Sequence, residues 1–392
     1  MIIKSKLAPV ALAMLLGMAV AVSGCAGNEK KPKVKAAVSE EKIVKIGLIT
    51  SLTGGVKASG ESTLNAFNLA IEQAAGRAGD YKIETVVADD RNDDIEAVNV
   101  ASKLISQDKV NCIVGPLTSI TSIPVGELCN KSKIPMITNT ATDPRVTVDN
   151  GKRKEYVFRA CFIDPFQGKV AAKFALDNLQ KKTAAVLYDQ GNDYTIELSN
   201  TFKESFTAGG GAITDFIAYS RTDVDFSTVL SNIANKNPDI LYLPDYYQRA
   251  VLIGSQARDK GIKAVFLGGD RWDFADIGNA AMAGSYFTNH FSIEDRRPEV
   301  QKFLNDYKVK YGTAPDLRAV LGYDAANIML SAIKAANNSN PDNIRKALEQ
   351  IKDFAAVSGS ITIDRNGNPI KPAVVLQVKP DKTYAYVTTV NP

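Results

Sequence analysis

Ile43-Val44-Lys45-Ile46-Gly47-Leu48-Ile49-Thr50, followed by Ser51-Leu52-Thr53-Gly54-Gly55, decides the architecture of this chain. Eight residues rich in β-branched side chains predict a strand, and the glycine-containing polar turn ends it. The pattern then changes period. Leu64, Phe67, Ala70, Ile71 and Ala74 recur at helical spacing, so a helix is predicted over 63–75. Strand, polar loop and amphipathic helix make one step of a parallel α/β sheet.

The step repeats. Strands are predicted over 83–88, 112–115 and 134–138, with helices over 94–107 and ending near Lys131. The same order then starts afresh, with strands over 183–188, 212–219, 239–243 and 264–267. Helices over 194–208, 226–235 and 250–260 separate them. Even the loops match: Asp89-Asp90-Arg91-Asn92-Asp93 holds the place that Arg221-Thr222-Asp223-Val224-Asp225 holds later. Two similar α/β units in tandem explain this better than one large sheet, since 392 residues exceed what one core usually organises. Residues 298–352 read as largely helical. A hairpin turning at Asn366-Gly367 and strands after Ala373 close the chain.

At the other end, Lys4 and Lys6 precede sixteen residues, 7–22, without a charged or polar side chain, and then Val22-Ser23-Gly24-Cys25. This predicts a secretory signal peptide over 1–24 rather than a membrane span. The small-small-Cys ending resembles the bacterial lipobox, which implies a lipidated Cys25 as the new N-terminus. Residues 25–41 then form a lipidated cysteine and flexible tether; five lysines, three glutamates and no aromatic residue lie over 27–42. The protein is expected outside the cytoplasm, anchored to the cell membrane.

Composition removes several function classes. A net charge of +4 gives no case for nucleic acid. The chain has one histidine, His290, and no G-x-S-x-G turn, so an extracytoplasmic hydrolase is disfavoured and His290 reads as a structural or hinge residue. Metal spacings, a Walker motif and a G-x-G-x-x-G turn are absent, so no metal, cofactor or enzyme activity is expected. Cys112, Cys129 and Cys161 are odd in number; a Cys112–Cys129 bridge and free buried thiols both remain open.

In open parallel sheets, ligands bind beyond the carboxyl ends of the strands. The loops there carry Ser51 to Ser59, Pro116-Leu117-Thr118-Ser119 and Asn139-Thr140-Ala141-Thr142 in the first unit. The second unit has 189–194, Asp245-Tyr246-Tyr247 and Gly269-Asp270-Arg271-Trp272. Hydroxyls and a helix start favour an anion. A carboxylate and aromatic rings favour a cation. A zwitterion between the units would satisfy both.

With these loops in place, the chain from Lys42 onward resembles the extracytoplasmic solute-binding proteins of the branched-chain amino-acid ABC transporters. The resemblance rests on 45–54, 113–119, 135–142, Phe158-Arg159-Ala160 with Asp164 and Gln167-Gly168, and 266–270. It implies a two-lobed type I periplasmic-binding-protein (Venus flytrap) fold, each lobe a parallel sheet flanked by helices. Three hinge crossings would fall near 159–162, 289–292 and 369–372. Lobe one would comprise 42–160 plus 290–370, and lobe two 161–289 plus 371–392. By the same resemblance, Ser119, Thr140 and Thr142 hold the ligand from lobe one, Thr140 mainly through its carbonyl. Asp270 receives the ammonium, so its loss is expected to weaken binding far more than loss of Arg271, while Tyr194 and Tyr246 close over the ligand. Leu52, Thr53, Ser59 and Trp272 are further candidates. Ser59 stands where the family often has an aromatic residue, and Asp270 where its best-known members have glutamate. The implied function is capture of an amino acid, branched-chain or otherwise apolar, by a monomer that delivers it to a membrane permease driven by separate ATPase subunits. Rival expectations are a sensory receptor lobe of the same fold, or an amide, urea-like or aromatic-acid cargo.

Overall fold

The computed structural model describes residues 41–273, 279–381 and 383–392; the expected signal peptide, Cys25 and the tether up to residue 40 lie outside them. In the first half, β1 (Ile43–Thr50), β2 (Arg77–Ala78), β3 (Tyr81–Asp89), β4 (Cys112–Val114) and β5 (Met136–Thr138) form a sheet. A small hairpin, β6 (Val148–Asp149) and β7 (Lys152–Arg153), precedes β8 (Val157–Arg159), which joins that sheet. Its order is β2-β3-β1-β4-β5-β8, parallel except for β2 against β3.

The central place of β1 follows from its sequence. Val44, Ile46 and Leu48 are buried on one face, while Ile49 is buried on the other, as strands covered on both sides require. The first face lies under Phe67 and Ala70 of α1 (Lys57–Gln73). The opposite face packs on Ala101 and Leu104 of α2 (Asp94–Ser106) and Val125 and Cys129 of α3 (Ser119–Ser132). Helix α1 starts six residues before the predicted position. Its first turn, Lys57-Ala58-Ser59-Gly60, carries no apolar period because it is packed by backbone. A Cβ on Gly60 would lie 1.8 Å from the Ser51 carbonyl oxygen.

The second sheet has β9 (Thr183–Asp189), β10 (Ala212–Tyr219), β11 (Ile240–Tyr242), β12 (Val265–Gly268) and β13 (Tyr286–Asn289). The strands β14 (Phe354–Ala356), β15 (Gly359–Ile363) and β16 (Pro369–Ile370) form a separate three-stranded sheet. Then β17 (Ala373–Val378) and β18 (Tyr384–Val390) extend the second sheet, in the order β10-β9-β11-β12-β13-β17-β18. The added pair is antiparallel. One face packs on α4 (Asp164–Lys173) and α5 (Asp193–Ala208), through Val170, Phe202 and Phe206. The other packs on α6 (Ser227–Lys236) and α7 (Tyr247–Asp259), through Leu230, Ile233 and Ile253.

Three further helices, α8 (Pro298–Tyr311), α9 (Leu317–Ala336) and α10 (Pro341–Glu349), follow β13. Met329 and Ile333 of α9 and Ile344 of α10 return to the core of the first sheet, with Ile361 and Ile363 of β15. The chain therefore passes from the first sheet to the second between β8 and α4. It returns between β13 and α8, and passes again between β16 and β17.

The two cysteines weighed as a bridge do not form one. Cys112 faces the α1–α9 side of the first sheet and Cys129 the α2–α3 side, and both thiols are free and buried. Burial pushes the Cys129 and Cys161 thiols up to about 12, and Cys112 upward as well. Native protein should leave Cys112, Cys129 and Cys161 unreactive towards a thiol-specific disulfide reagent. All three should titrate on adding denaturant. Rapid reaction of Cys112 or Cys129 in the native protein would contradict this packing.

Candidate functional site

The loop leaving β12 carries the most demanding group. Asp270 opens a single 3-10 turn, Asp270–Trp272, and its carboxylate is buried. Its Oδ1 accepts from Gln167 Nε2 at 2.9 Å and from the Tyr194 hydroxyl at 2.8 Å. Gln167 comes from α4. Tyr194 comes from the first turn of α5, whose N-cap Asn192 accepts from the Tyr194 N–H at 3.1 Å. This cluster closes only over glycine, since a Cβ on Gly269 would lie 2.4 Å from both Gln167 Oε1 and the Tyr194 oxygen.

His290, where β13 ends, places Nε2 at 3.7 Å from Asp270 Oδ2, an electrostatic neighbour rather than a hydrogen-bond donor. Its ring stacks on Phe162 with centroids 3.6 Å apart, and neither ring nitrogen has a hydrogen-bond partner. Burial, with Lys371 and Arg271 nearby, lowers its pKa to about 4 despite Asp270, so the ring is neutral at pH 7. Burial alone would raise the pKa of Asp270. His290, the Arg271 charge and the Gln167 hydrogen bond outweigh burial and hold it well below the usual carboxylate range. Because His290 is neutral at pH 7, Arg271, Gln167 and Tyr194 are the partners that count there.

Two aromatic rings stand beside this carboxylate. Tyr194 is buried and Tyr246, the N-cap of α7, is half exposed; their centroids are 6.0 Å apart at 62°. The Arg271 guanidinium lies 5.5 Å from each ring.

The first sheet supplies the uncharged donors. Ser119 begins α3, and the N-cap Thr118 makes no side-chain cap bond, so the α3 N-terminus keeps hydrogen-bonding capacity. Ser119 Oγ accepts from the Asp143 N–H at 3.3 Å, and Thr140 Oγ1 donates to the Leu117 carbonyl at 2.5 Å. The Thr142 carbonyl accepts from the Asp164 N–H at 3.2 Å. Burial raises the Asp164 carboxyl well above its ordinary range, against a hydrogen bond from Thr142 that lowers it and the Asp270 charge that raises it further. Asp164 thus links the Thr142 loop to the Asp270 cluster. Beyond it, Arg145 is gripped by Asp143 through its Nε and Nη2 atoms, and its Nη2 also pairs with Asp193 at the start of α5. That ion pair joins the two lobes directly.

Ser119, Thr140 and Thr142 therefore lie on two adjoining loops of one lobe, and Tyr194, Tyr246 and Asp270 cluster on the other. The remaining candidates have other surroundings. Thr53 is exposed and donates to Asp89 Oδ2 at 2.6 Å, and the Leu52 N–H donates to Asp89 Oδ1. Ser59 lies in the first turn of α1. Trp272 is fully buried in the second core, under Gly268 and beside Phe287. Gln167, Asp164 and His290 were not singled out as site residues. Their one sequence signal is polar side chains, Asp164 and Gln167, on a single face at helical spacing.

The pattern of the periplasmic binding protein family matches residues 43–383. The chain is 30% identical over 333 residues to the Leu/Ile/Val-binding protein BraC3 of Rhizobium johnstonii, covering 83% of this chain and 88% of the relative. Among solved structures it is similar to the leucine-binding protein LivK of Thermotoga maritima, with 36% identity, a TM-score of 0.80, and 89% and 99% of the two chains covered. It is also similar to LivJ of Streptococcus pneumoniae, solved with isoleucine, at 29% identity and a TM-score of 0.79, covering 90% and 100%.

The neutral buried His290 gives a pH signature. Its folded pKa, about 4, is below the unfolded value near 6.5. Its stabilising contribution is therefore complete above pH 6.5 and lost as pH falls through 4. Full loss corresponds to a few kcal/mol, about 3. His290→Phe should flatten the decline in unfolding free energy between pH 6.5 and 4. Parallel curves for both proteins in urea titrations would contradict a neutral buried imidazole.

Proposed function

The chain belongs to the periplasmic binding protein family, and from that premise we propose that it captures an α-amino acid between its lobes. It is an extracytoplasmic solute-binding protein that works with the permease of an ABC transporter, not an enzyme. The observation that carries the amino-acid reading is Asp270, a buried carboxylate held ionised beside two aromatic rings. An ammonium is the complementary charge. Opposite it, Ser119, Thr142 and the start of α3 offer hydroxyl and N–H donors to a carboxylate. Thr140 offers its carbonyl to the ammonium. The relatives named for leucine, isoleucine and valine favour an apolar side chain, which Tyr194 and Tyr246 would cover.

In this reading residues 42–160 plus 290–370 act as lobe one, and 161–289 plus 371–392 as lobe two. The ligand first meets the hydroxyl loops of lobe one. Hinge closure then brings Asp270, Tyr194 and Tyr246 onto it, and the closed monomer is presented to the permease. The Arg145–Asp193 pair helps to hold the lobes together, with a modest contribution because both side chains reach solvent. The N-terminal sequence supports attachment through an acylated Cys25.

Protein refolded from denaturant, to strip carried-over ligand, should gain thermal stability with leucine, isoleucine or valine; about 2.7 kcal/mol is expected at a hundred times Kd. Asp270→Ala should weaken that binding by about a hundredfold or more in calorimetry, since a buried charge loses its partner. Thr53→Ala should change it little. No response to any α-amino acid would overturn the reading.

Attachment is checked separately. Cys25→Ala in the full chain should shift the protein from the membrane fraction to the soluble extracytoplasmic fraction. Unchanged membrane recovery would refute acylation at this position.

A further inference from the structure

Arg271 follows Asp270 in the turn after β12, and its side chain is bonded differently from those of Arg159, Arg258 and Arg318. Arg159 donates to the Ala141 carbonyl at 2.7 Å and to the Asp143 carbonyl at 2.8 Å. Arg258 donates to the Ile262 carbonyl at 2.6 Å, and Arg318 to the Asp273 carbonyl at 3.0 Å. Arg159 also keeps a buried Nε without a partner but donates through both Nη atoms, whereas the Arg271 side chain donates to no described residue and its Nε is likewise buried without a partner. A buried donor left unsatisfied is costly, so a native structure that keeps one invites a partner from outside the fold.

Its position says which partner. The guanidinium sits 5.5 Å from the Tyr194 and Tyr246 ring centroids, the two rings that stand beside Asp270. Asp270 is the nearest carboxylate, but its Oδ1 already receives Gln167 and Tyr194, and neither oxygen accepts from Arg271. Burial raises the Asp164 carboxyl above its ordinary range, and neither of its oxygens accepts from Arg271. Once an ammonium engages Asp270, the guanidinium is a cation without a counter-ion. Its planar fork matches a carboxylate through two parallel N–H bonds, and the flanking rings fix the plane of that fork.

We propose that Arg271 extends the cargo class to acidic amino acids. The side-chain carboxylate pairs with the guanidinium between Tyr194 and Tyr246 while the α-ammonium meets Asp270. The proposal rests on the amino-acid reading of this site and adds the side-chain specificity that Asp270 alone does not supply.

The test uses the full chain, refolded from denaturant, with L-glutamate, L-aspartate and L-leucine as probes in calorimetry and thermal melting. Glutamate or aspartate should bind, and Arg271→Leu should weaken that binding at least about tenfold more than it weakens the binding of leucine, whose ammonium meets the same Asp270 that Arg271 helps to keep ionised. Arg271→Lys keeps the charge but loses the fork, so it should fall between wild type and Arg271→Leu; it also controls for any folding defect of the leucine variant. Binding of leucine without either acidic amino acid would overturn this proposal and leave the amino-acid reading intact. So would equal loss of leucine and glutamate in Arg271→Leu, or acidic binding that Arg271→Leu does not change. Failure of all three probes in wild type would overturn the amino-acid reading itself, and this proposal with it.

Discussion

A carboxylate held ionised inside a protein has to be surrounded, and the surroundings of Asp270 account for much of what the second lobe looks like at the loops that follow its strands. Gln167 must project from α4 and Tyr194 from the start of α5, within 2.9 Å of the same oxygen. The backbone before Asp270 must come so close to both that residue 269 can carry no Cβ. His290, arriving from the end of β13, has to stay neutral and pressed against Phe162. Four separate segments are thus fixed by one charge. Any of them displaced would leave a buried anion short of partners, a far larger penalty than the loss of an exposed contact.

The lobes divide the work unequally, and the division has a physical logic. The first lobe presents neutral groups at the start of α3, which water can serve equally well. The second lobe keeps its Asp270 charge desolvated, with Gln167 and Tyr194 already donating to it. The two meet through Asp164, joined to Thr142 on one side and within the field of Asp270 on the other. They meet again through Arg145, which binds Asp143 in its own lobe and Asp193 in the other.

The passages between the sheets are themselves packed. Phe162 and His290 stack across the first two. Lys371, in the third, is buried against the Ser358 hydroxyl, whose N–H donates to Asp324 at 3.0 Å, and burial pushes the ammonium down to about 8. Interlocked crossings of this kind confine relative motion to a few backbone torsions, as hinge closure requires.

Strand and helix periods in β1, α2, β9, β10 and α5 were legible from side chains alone, because both faces of a parallel sheet must be apolar and each helix needs an apolar stripe. The start of α1 was not, since Gly60 packs through its missing side chain and leaves no hydrophobic period to read. β8 and α4 escaped assignment for a related reason: Val157-Phe158-Arg159 is three residues long, and α4 mixes Asp164 and Gln167 into its buried face. In the candidate site, Ser119, Thr142, Tyr194 and Asp270 are named from polar loops after strands together with the family resemblance. That Gln167 joins Asp270 from 103 positions away, that His290 joins it too, that Trp272 turns into the core and that the Arg271 side chain donates to no described residue depends on contacts made only in the folded chain. The sequence by itself determined the alternation of elements, the tandem units and the loops that carry polar groups, because those are properties of neighbouring residues. Only the tertiary structure decided which of those groups share one buried charge, because partnership depends on distance and burial, which the order of residues does not contain.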